Sequence, residues 1–330
     1  MGVSLRVSLV STWETNCGIA QHSALLKEAV EAADPSIQIS VRPDWLDPGV
    51  ALASPASLPE LVHLNWQAAL HSRWTLDWIA RLRTYHRCPI TATVHDTGVP
   101  NSDQVKALVG AVDAAVVHEP CDDLPAEKIR YWRMGVPSMR DGWTRLPRAL
   151  AISDRPVLGT VGHDFPWKCW EALADLTRRI GWGFLICTPE MAPDRAVALG
   201  ARNPRLLVER GLSSDQVVST LHACDATAFT FSCANTGQSG SILLGIAARK
   251  PVVAFRQCRQ MRALYLDPLG HAAIRWAETF KEVETILTSL ASRTRPRFDP
   301  LTVELAEQEA WSTLGAKYAS LWRETAGVSP

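Results

Sequence analysis

A small polar turn, Thr236-Gly237-Gln238-Ser239-Gly240-Ser241, leads into the apolar run Ile242-Leu243-Leu244-Gly245-Ile246-Ala247-Ala248. Glycine and serine leave little bulk over the backbone, so a ligand can approach the main chain closely. Where such a turn opens a helix, the N–H groups of Gln238, Ser239, Gly240 and Ser241 are unpaired donors that favour an anion. A phosphorylated ligand is the expected occupant. Lys168, at the end of Gly162-His163-Asp164-Phe165-Pro166-Trp167-Lys168, is a second anion-binding candidate. The pattern places it at the start of a helix, where the dipole disfavours a cation unless an anion sits beside it.

The first half of the chain carries polar residues at the ends of apolar runs. His95 and Asp96 close Ile90-Thr91-Ala92-Thr93-Val94, and such a pair can hydrogen-bond hydroxyls or handle a proton. Asn65 and Trp66 end Leu61-Val62-His63-Leu64, and His118-Glu119 follow Ala114-Ala115-Val116-Val117. Gly18, in Asn16-Cys17-Gly18-Ile19-Ala20, sits where a first strand would turn into a helix. No G-x-G-x-x-G is present there, so a nicotinamide fingerprint is absent from this loop.

Short β-branched runs alternating with helical patterns must position these residues. Strands are predicted at 4–10, 37–42, 61–65, 90–95, 114–118 and 129–132, with helices at 19–33, 74–86 and 101–110. The grammar restarts at Arg155, with strands at 155–162, 183–187, 205–208, 226–231, 251–255 and 272–275. Helices are predicted at 168–180, 192–200, 213–223, 239–248 and 276–290, and Ser213 through Gln216 reads as a helix cap. The Pro- and Gly-bearing stretch 137–155 suits a linker. From Leu301 to about Thr325 the pattern reads as one long helix, with Trp311, Leu314, Tyr318, Leu321 and Trp322 on one face. The fold class is α/β, with two doubly wound domains whose ligands bind at the carboxyl ends of the strands.

The 330 residues suffice for two such domains, and 47% hydrophobic with 21% charged residues lets each bury a core. A formal net charge of zero gives no electrostatic reason to expect strong binding to nucleic acid or an acidic membrane. Eight cysteines form no Cys-x-x-Cys pair and read as buried, reduced thiols of a cytoplasmic protein. The N-terminal run reads as a strand rather than a signal peptide, and no stretch is long and apolar enough to span a membrane.

These motifs, in this order, resemble those of the GT-B glycosyltransferases, and in particular glycosyltransferase family 4. Cys17-Gly18-Ile19-Ala20 resembles a Cys-Gly-Ile-Ala turn of that family, and Thr93-Val94-His95-Asp96 its Thr-x-His-Asp strand end. Gly135-Val136-Pro137, the Gly162–Lys168 loop, Lys250-Pro251-Val252-Val253 and Trp311 to Trp322 are similar to later family motifs. The resemblance covers nearly the whole chain. It implies two Rossmann-like domains facing across a cleft: an acceptor domain over 1–150, a donor domain over 151–300, and a crossover helix within 301–330 that returns to the first domain.

The resemblance further implies sugar transfer from a nucleotide-diphosphate sugar, with retained configuration and no essential metal or other cofactor. Lys168, His163, Gly18 and the turn Thr236, Gly237, Gln238, Ser239, Gly240, Ser241 would hold the donor. His95, Asp96 and Lys168 would be catalytic. Asn65, Trp66, His118 and Glu119 would face an acceptor: a saccharide, lipid, small molecule, protein or modified nucleobase in DNA. The chain departs from the family at Arg249, where a glycine is usual, and at three places of the donor site. Thr236 and Leu244 stand where two glutamates are usual, and His163 stands where an arginine is usual. A protonated His163 would partly replace that arginine. The lost carboxylates point to a second reading, a GT-B protein that binds a sugar or nucleotide without turning it over.

Overall fold

The computed structural model describes residues 3–15, 17–47, 49–50, 58–67, 76–95, 102–121, 123–138, 155–232, 238–291 and 298–328. The chain forms two compact units. The first comprises Met1–Gly135, Thr236–Gln238 and Trp311–Pro330; the second comprises Val136–Asn235 and Ser239–Ala310. The predicted linker falls mostly on residues 139–154, outside the described residues.

In the first unit the elements run β1 (Leu5–Val10), α1 (Gly18–Ala33), β2 (Ile37–Val41), β3 (Leu61–Trp66), α2 (Leu76–His86), β4 (Ile90–Val94), α3 (Ser102–Ala111), β5 (Ala114–Val117) and β6 (Ile129–Tyr131). They build one parallel sheet in the order β2-β1-β3-β4-β5-β6. Strands β3, β4 and β5 are buried along their whole length. β5 accordingly reads as a continuous apolar run, while β3 and β4 also bury His63, Asn65, Thr91 and Thr93.

The second unit repeats the plan with β7 (Val157–Val161), α4 (Trp170–Arg179), β8 (Gly183–Thr188), α5 (Pro193–Arg202), β9 (Leu206–Arg210), α6 (Ser214–His222), β10 (Ala226–Phe229), α7 (Gly240–Ala247) and β11 (Val252–Phe255). It continues with α8 (Arg262–Tyr265), α9 (Pro268–Ala273), β12 (Ile274–Ala277), α10 (Phe280–Ala291) and α11 (Pro300–Gln308). Its parallel sheet has the order β12-β11-β10-β7-β8-β9. The cap read at Ser213 is a full capping box: Ser213 accepts from the Gln216 N–H, and Gln216 accepts in return from the Ser213 N–H. The expected doubly wound α/β architecture is present in both units.

The expected single terminal helix is instead two, α11 and α12 (Trp311–Ala326), separated at Glu309 and Ala310. The break has a backbone cause. The Glu309 carbonyl leaves the helical ladder to accept the Val136 N–H at 2.6 Å, and Val136 bridges to Ala310. Helix α12 belongs to the first unit and packs along α1. A Cβ at Gly315 would lie 2.4 Å from the Ala29 carbonyl oxygen, so only glycine permits this approach. A buried polar chain fastens the helix to the sheet. Trp322 Nε1–H and the Thr91 hydroxyl reach His63 Nδ1 at 3.3 and 2.8 Å. His63 Nε2 pairs with Thr93 Oγ1 at 2.9 Å, and Thr93 Oγ1 lies 2.6 Å from the Tyr318 hydroxyl. At the far end Arg323, 5% exposed, donates to Asp34 at 2.6 Å, to Ser36 and to the Val3 carbonyl.

The thiols divide. Cys88, Cys187, Cys224 and Cys258 are buried, and burial pushes Cys187 up to about 12. Cys17, Cys121 and Cys169 are only half-buried, which corrects the expectation of a uniformly core role. Cys17 caps α1 by accepting from the Ala20 N–H. No helix among the described residues is long and apolar enough to cross a membrane.

Candidate functional site

In an open parallel sheet, ligands bind beyond the carboxyl ends of the strands where the winding direction reverses. In the second unit the chain winds β7, β8, β9 to one side and then places β10 on the other flank of β7. The loops after β7 and β10 therefore flank the switch point. The Ser232 N–H joins them by donating to the Trp167 carbonyl at 2.8 Å.

Lys168 lies at that point, 6% exposed. Its Nζ stands over the Phe231 ring, 3.5 Å from the centroid, and 3.3 Å from Ser241 Oγ. Gly162 makes room for this meeting. Its φ is +143°, and a Cβ there would come within 2.9 Å of Lys168 Nζ and 3.0 Å of Ser241 Oγ. The sequence expectation that Lys168 opens a helix is corrected. Pro166–Lys168 is a 3₁₀ turn, Cys169 turns left-handed at φ 56°, and α4 begins at Trp170. Lys168 therefore precedes α4 rather than opening it, and its ammonium faces the first turn of α7 at Ser241, where a helix dipole again favours an anion beside the cation.

Ser239 is the N-cap of α7, and its side chain makes no capping bond. The first N–H groups of that helix are left to a ligand or to water. A Cβ at Gly240 would meet nothing within 4 Å, so the approach to this backbone is open. Lys168, Ser239, Gly240 and Ser241 are thus brought together in one unit. His163 is half-buried on the same loop, its ring tilted against Phe165 at 5.9 Å. Phe165 in turn stacks on Trp167 at 4.3 Å. Gln238 belongs to the first unit, where its Oε1 accepts the Met134 N–H at 2.7 Å. Thr236 and Gly237 lie outside the described residues, as does Asp96.

The first unit has its own switch point, between β1 and β3. Four strand ends deliver polar groups there. Asn65, fully buried near the end of β3, receives the His95 Nε2–H on its Oδ1. Its Nδ2 donates to Ser23 Oγ at 2.6 Å, and Ser23 lies 2.6 Å from Ser11 Oγ. Asn65 Nδ2 also faces His22 Nδ1 at 3.4 Å. His118, just beyond β5, donates its Nδ1–H to the Trp132 carbonyl at 2.7 Å. Glu119 beside it is buried. Trp66 joins the apolar core with Val10, Trp45 and Trp78, which gives it a packing role. Gly18 is the first residue of α1, and a Cβ there would meet nothing within 4 Å.

Sequence reading missed His22, Ser11 and Ser23 at this point, and Phe231 in the other unit. The signal for the first was available: Ile19, His22 and Ser23 share a face of α1, and two polar residues interrupt that apolar face. Burial keeps these imidazoles neutral. His22 falls well below its ordinary value through burial, with His118 and His63 adding repulsion. Burial holds His118 at about 4, with the Trp132 carbonyl acting in the opposite direction.

No protein-family model matches the chain, and no curated protein matches its sequence. Solved structures do match its fold. HepE of Anabaena, solved in complex with UDP and glucose, has a TM-score of 0.69 at 12% identity, covering 97% of this chain and 100% of that one. Sucrose-phosphate synthase of Thermosynechococcus elongatus has a TM-score of 0.70 at 12% identity, covering 97% and 98%. A glycosyltransferase of Rickettsia africae has a TM-score of 0.68 at 12% identity, covering 99% and 100%. The chain has the GT-B fold of these glycosyltransferases.

Proposed function

We propose that the chain is a glycosyltransferase that moves a sugar from a nucleotide-diphosphate donor to an acceptor. The observation that carries this reading is the convergence of Lys168 Nζ, Ser241 Oγ and the uncapped start of α7 around Gly162 at a sheet switch point. Glycosyl transfer builds positive charge at the anomeric carbon and negative charge on the departing diphosphate. Lys168 and the N–H groups of Ser239, Gly240 and Ser241 are placed to stabilise that negative charge as it forms. Fixed donors of this kind each contribute about 10²–10³ in rate. Lys168 and helix N–H groups supply the positive charge themselves, so the transfer is read as metal-independent. Retention of configuration is carried over from the resemblance.

His95 and Asp96 are assigned to the reacting sugar, and Asn65, His118 and Glu119 to the acceptor side. HepE, bound to UDP and glucose, supports a uridine donor as the first to try. The test is a panel of nucleotide-diphosphate sugars, read by release of the nucleoside diphosphate with and without candidate saccharide acceptors. Release that disappears in Lys168→Ala supports transfer. A second reading, binding without turnover, rests on Leu244, a half-buried apolar side chain on α7 where the family resemblance would place a carboxylate. Saturable binding of a donor with no release across the panel would favour it.

A further inference from the structure

We propose that His22, His95 and His118 form a binding site for a divalent transition metal of the zinc class. One ring nitrogen of each lies within 4.8 Å of the others, and all three residues are buried. They come from separate segments: the first turns of α1, the exit of β4 and the exit of β5. The rings also touch as rings. His22 meets His95 edge-on at 4.5 Å, and His118 lies 5.6 Å from His22 and 5.2 Å from His95.

The second observation is what these rings leave unbonded. His22 Nε2 and His118 Nε2 are buried and have no hydrogen-bond partner among the described residues. A buried polar atom without a partner costs stability, and two such atoms on rings of one cluster favour a ligand there. Two of the three rings carry the bonded edge that a metal site requires, while His22 Nδ1 faces the Asn65 amide donor at 3.4 Å. His118 Nδ1–H is held by the Trp132 carbonyl and His95 Nε2–H by the Asn65 side-chain carbonyl. A metal-ligating imidazole commonly donates its other N–H to such an oxygen, which fixes the tautomer and raises basicity. The Trp132 bond fixes the lone pair of His118 on Nε2, the unbonded atom.

Three imidazoles with a fourth position left to water or a hydroxyl match the open coordination of zinc. Bonds of about 2.0–2.1 Å set ligand nitrogens about 3.4 Å apart, so the rings close on the ion by side-chain rotation. The site is within the first unit and does not involve Lys168 or α7.

Cobalt(II) added to chelator-washed protein tests this. The expected result is one equivalent bound, with the visible absorption of low-coordinate cobalt, displaced by zinc. His22→Gln and His118→Gln are expected to weaken binding by more than about 100-fold, beyond the loss caused by removing an outer-shell partner. X-ray absorption of the zinc-loaded wild-type protein needs no variant and is expected to show nitrogen ligands without sulfur. Absence of stoichiometric binding, binding undiminished in both folded variants, or a sulfur-containing shell would each overturn the site. Neither readout uses a nucleotide sugar, so failure of the metal site leaves the transferase reading standing, whereas a bound metal would take His95 and His118 out of the sugar and acceptor roles assigned to them.

Discussion

The Lys168 ammonium sits face-on to the Phe231 ring, 3.5 Å from its centroid, within a loop pair joined by the Ser232–Trp167 hydrogen bond. An aromatic face steadies a cation without neutralising it, by about 0.5–2 kcal/mol. The ring face thus holds the ammonium beside Ser241. Lys168→Met keeps the stem and removes the charge. It is expected to lower donor turnover by about 10²–10³ while the protein stays folded, checked by steady-state kinetics alongside circular dichroism. Phe231→Leu should cost at most about thirtyfold.

Gly162 should tolerate no side chain. Its φ of +143° is strained for any L-residue, and the added carbon would crowd Lys168 Nζ and Ser241 Oγ. Gly162→Ala is expected to weaken donor affinity and lower the melting temperature together. Unchanged values of both would show that the ammonium is not held in this position.

Gly315→Ala tests the docking of the terminal helix. The added methyl meets the Ala29 backbone carbonyl, which cannot rotate away as a flexible side chain would. Overpacking of this kind costs about 1–3 kcal/mol. Urea unfolding should register that loss.

Acid should loosen the same docking in two windows. Burial holds His63 at about 3 in the folded chain, against about 6.5 unfolded. The unfolded chain therefore binds the extra proton first, and stability falls as pH drops from about 6.5 towards 3. The groups around this ring are Thr91, Thr93, Tyr318 and Trp322. The Arg323 hydrogen bond holds Asp34 at about 2, below its unfolded value of about 3.9. Its contribution is present above about pH 4 and is lost as pH falls through about 2. His63→Gln should flatten the upper window and Arg323→Met the lower one, both read from unfolding midpoints against pH.

Much of this was legible in the chain because parallel strands buried on both faces are short, mostly apolar and β-branched runs ending in polar loops. Val157–Val161 followed by Gly162, and Ile90–Val94 followed by His95, each announced a strand and the loop at its carboxyl end. Three features were not legible. The break at Glu309 depends on a hydrogen bond to Val136, far away in sequence, while the local helical period continues across it. The position of Lys168 depends on a left-handed Cys169, a residue type with no special preference for that conformation. The histidine cluster depends on β3 lying beside β1 and β4 beside β5, an order that loop spacing does not reveal.

Calorimetric titration of nucleoside diphosphates, UDP first and then GDP, ADP and dTDP, into wild-type protein and Lys168→Ala tests the central claim most directly. The account predicts saturable binding of at least one by the wild type, weakened about tenfold or more in the variant, as expected for a lost charged contact. Equal affinity in both proteins, or no binding of any of the four, would contradict it.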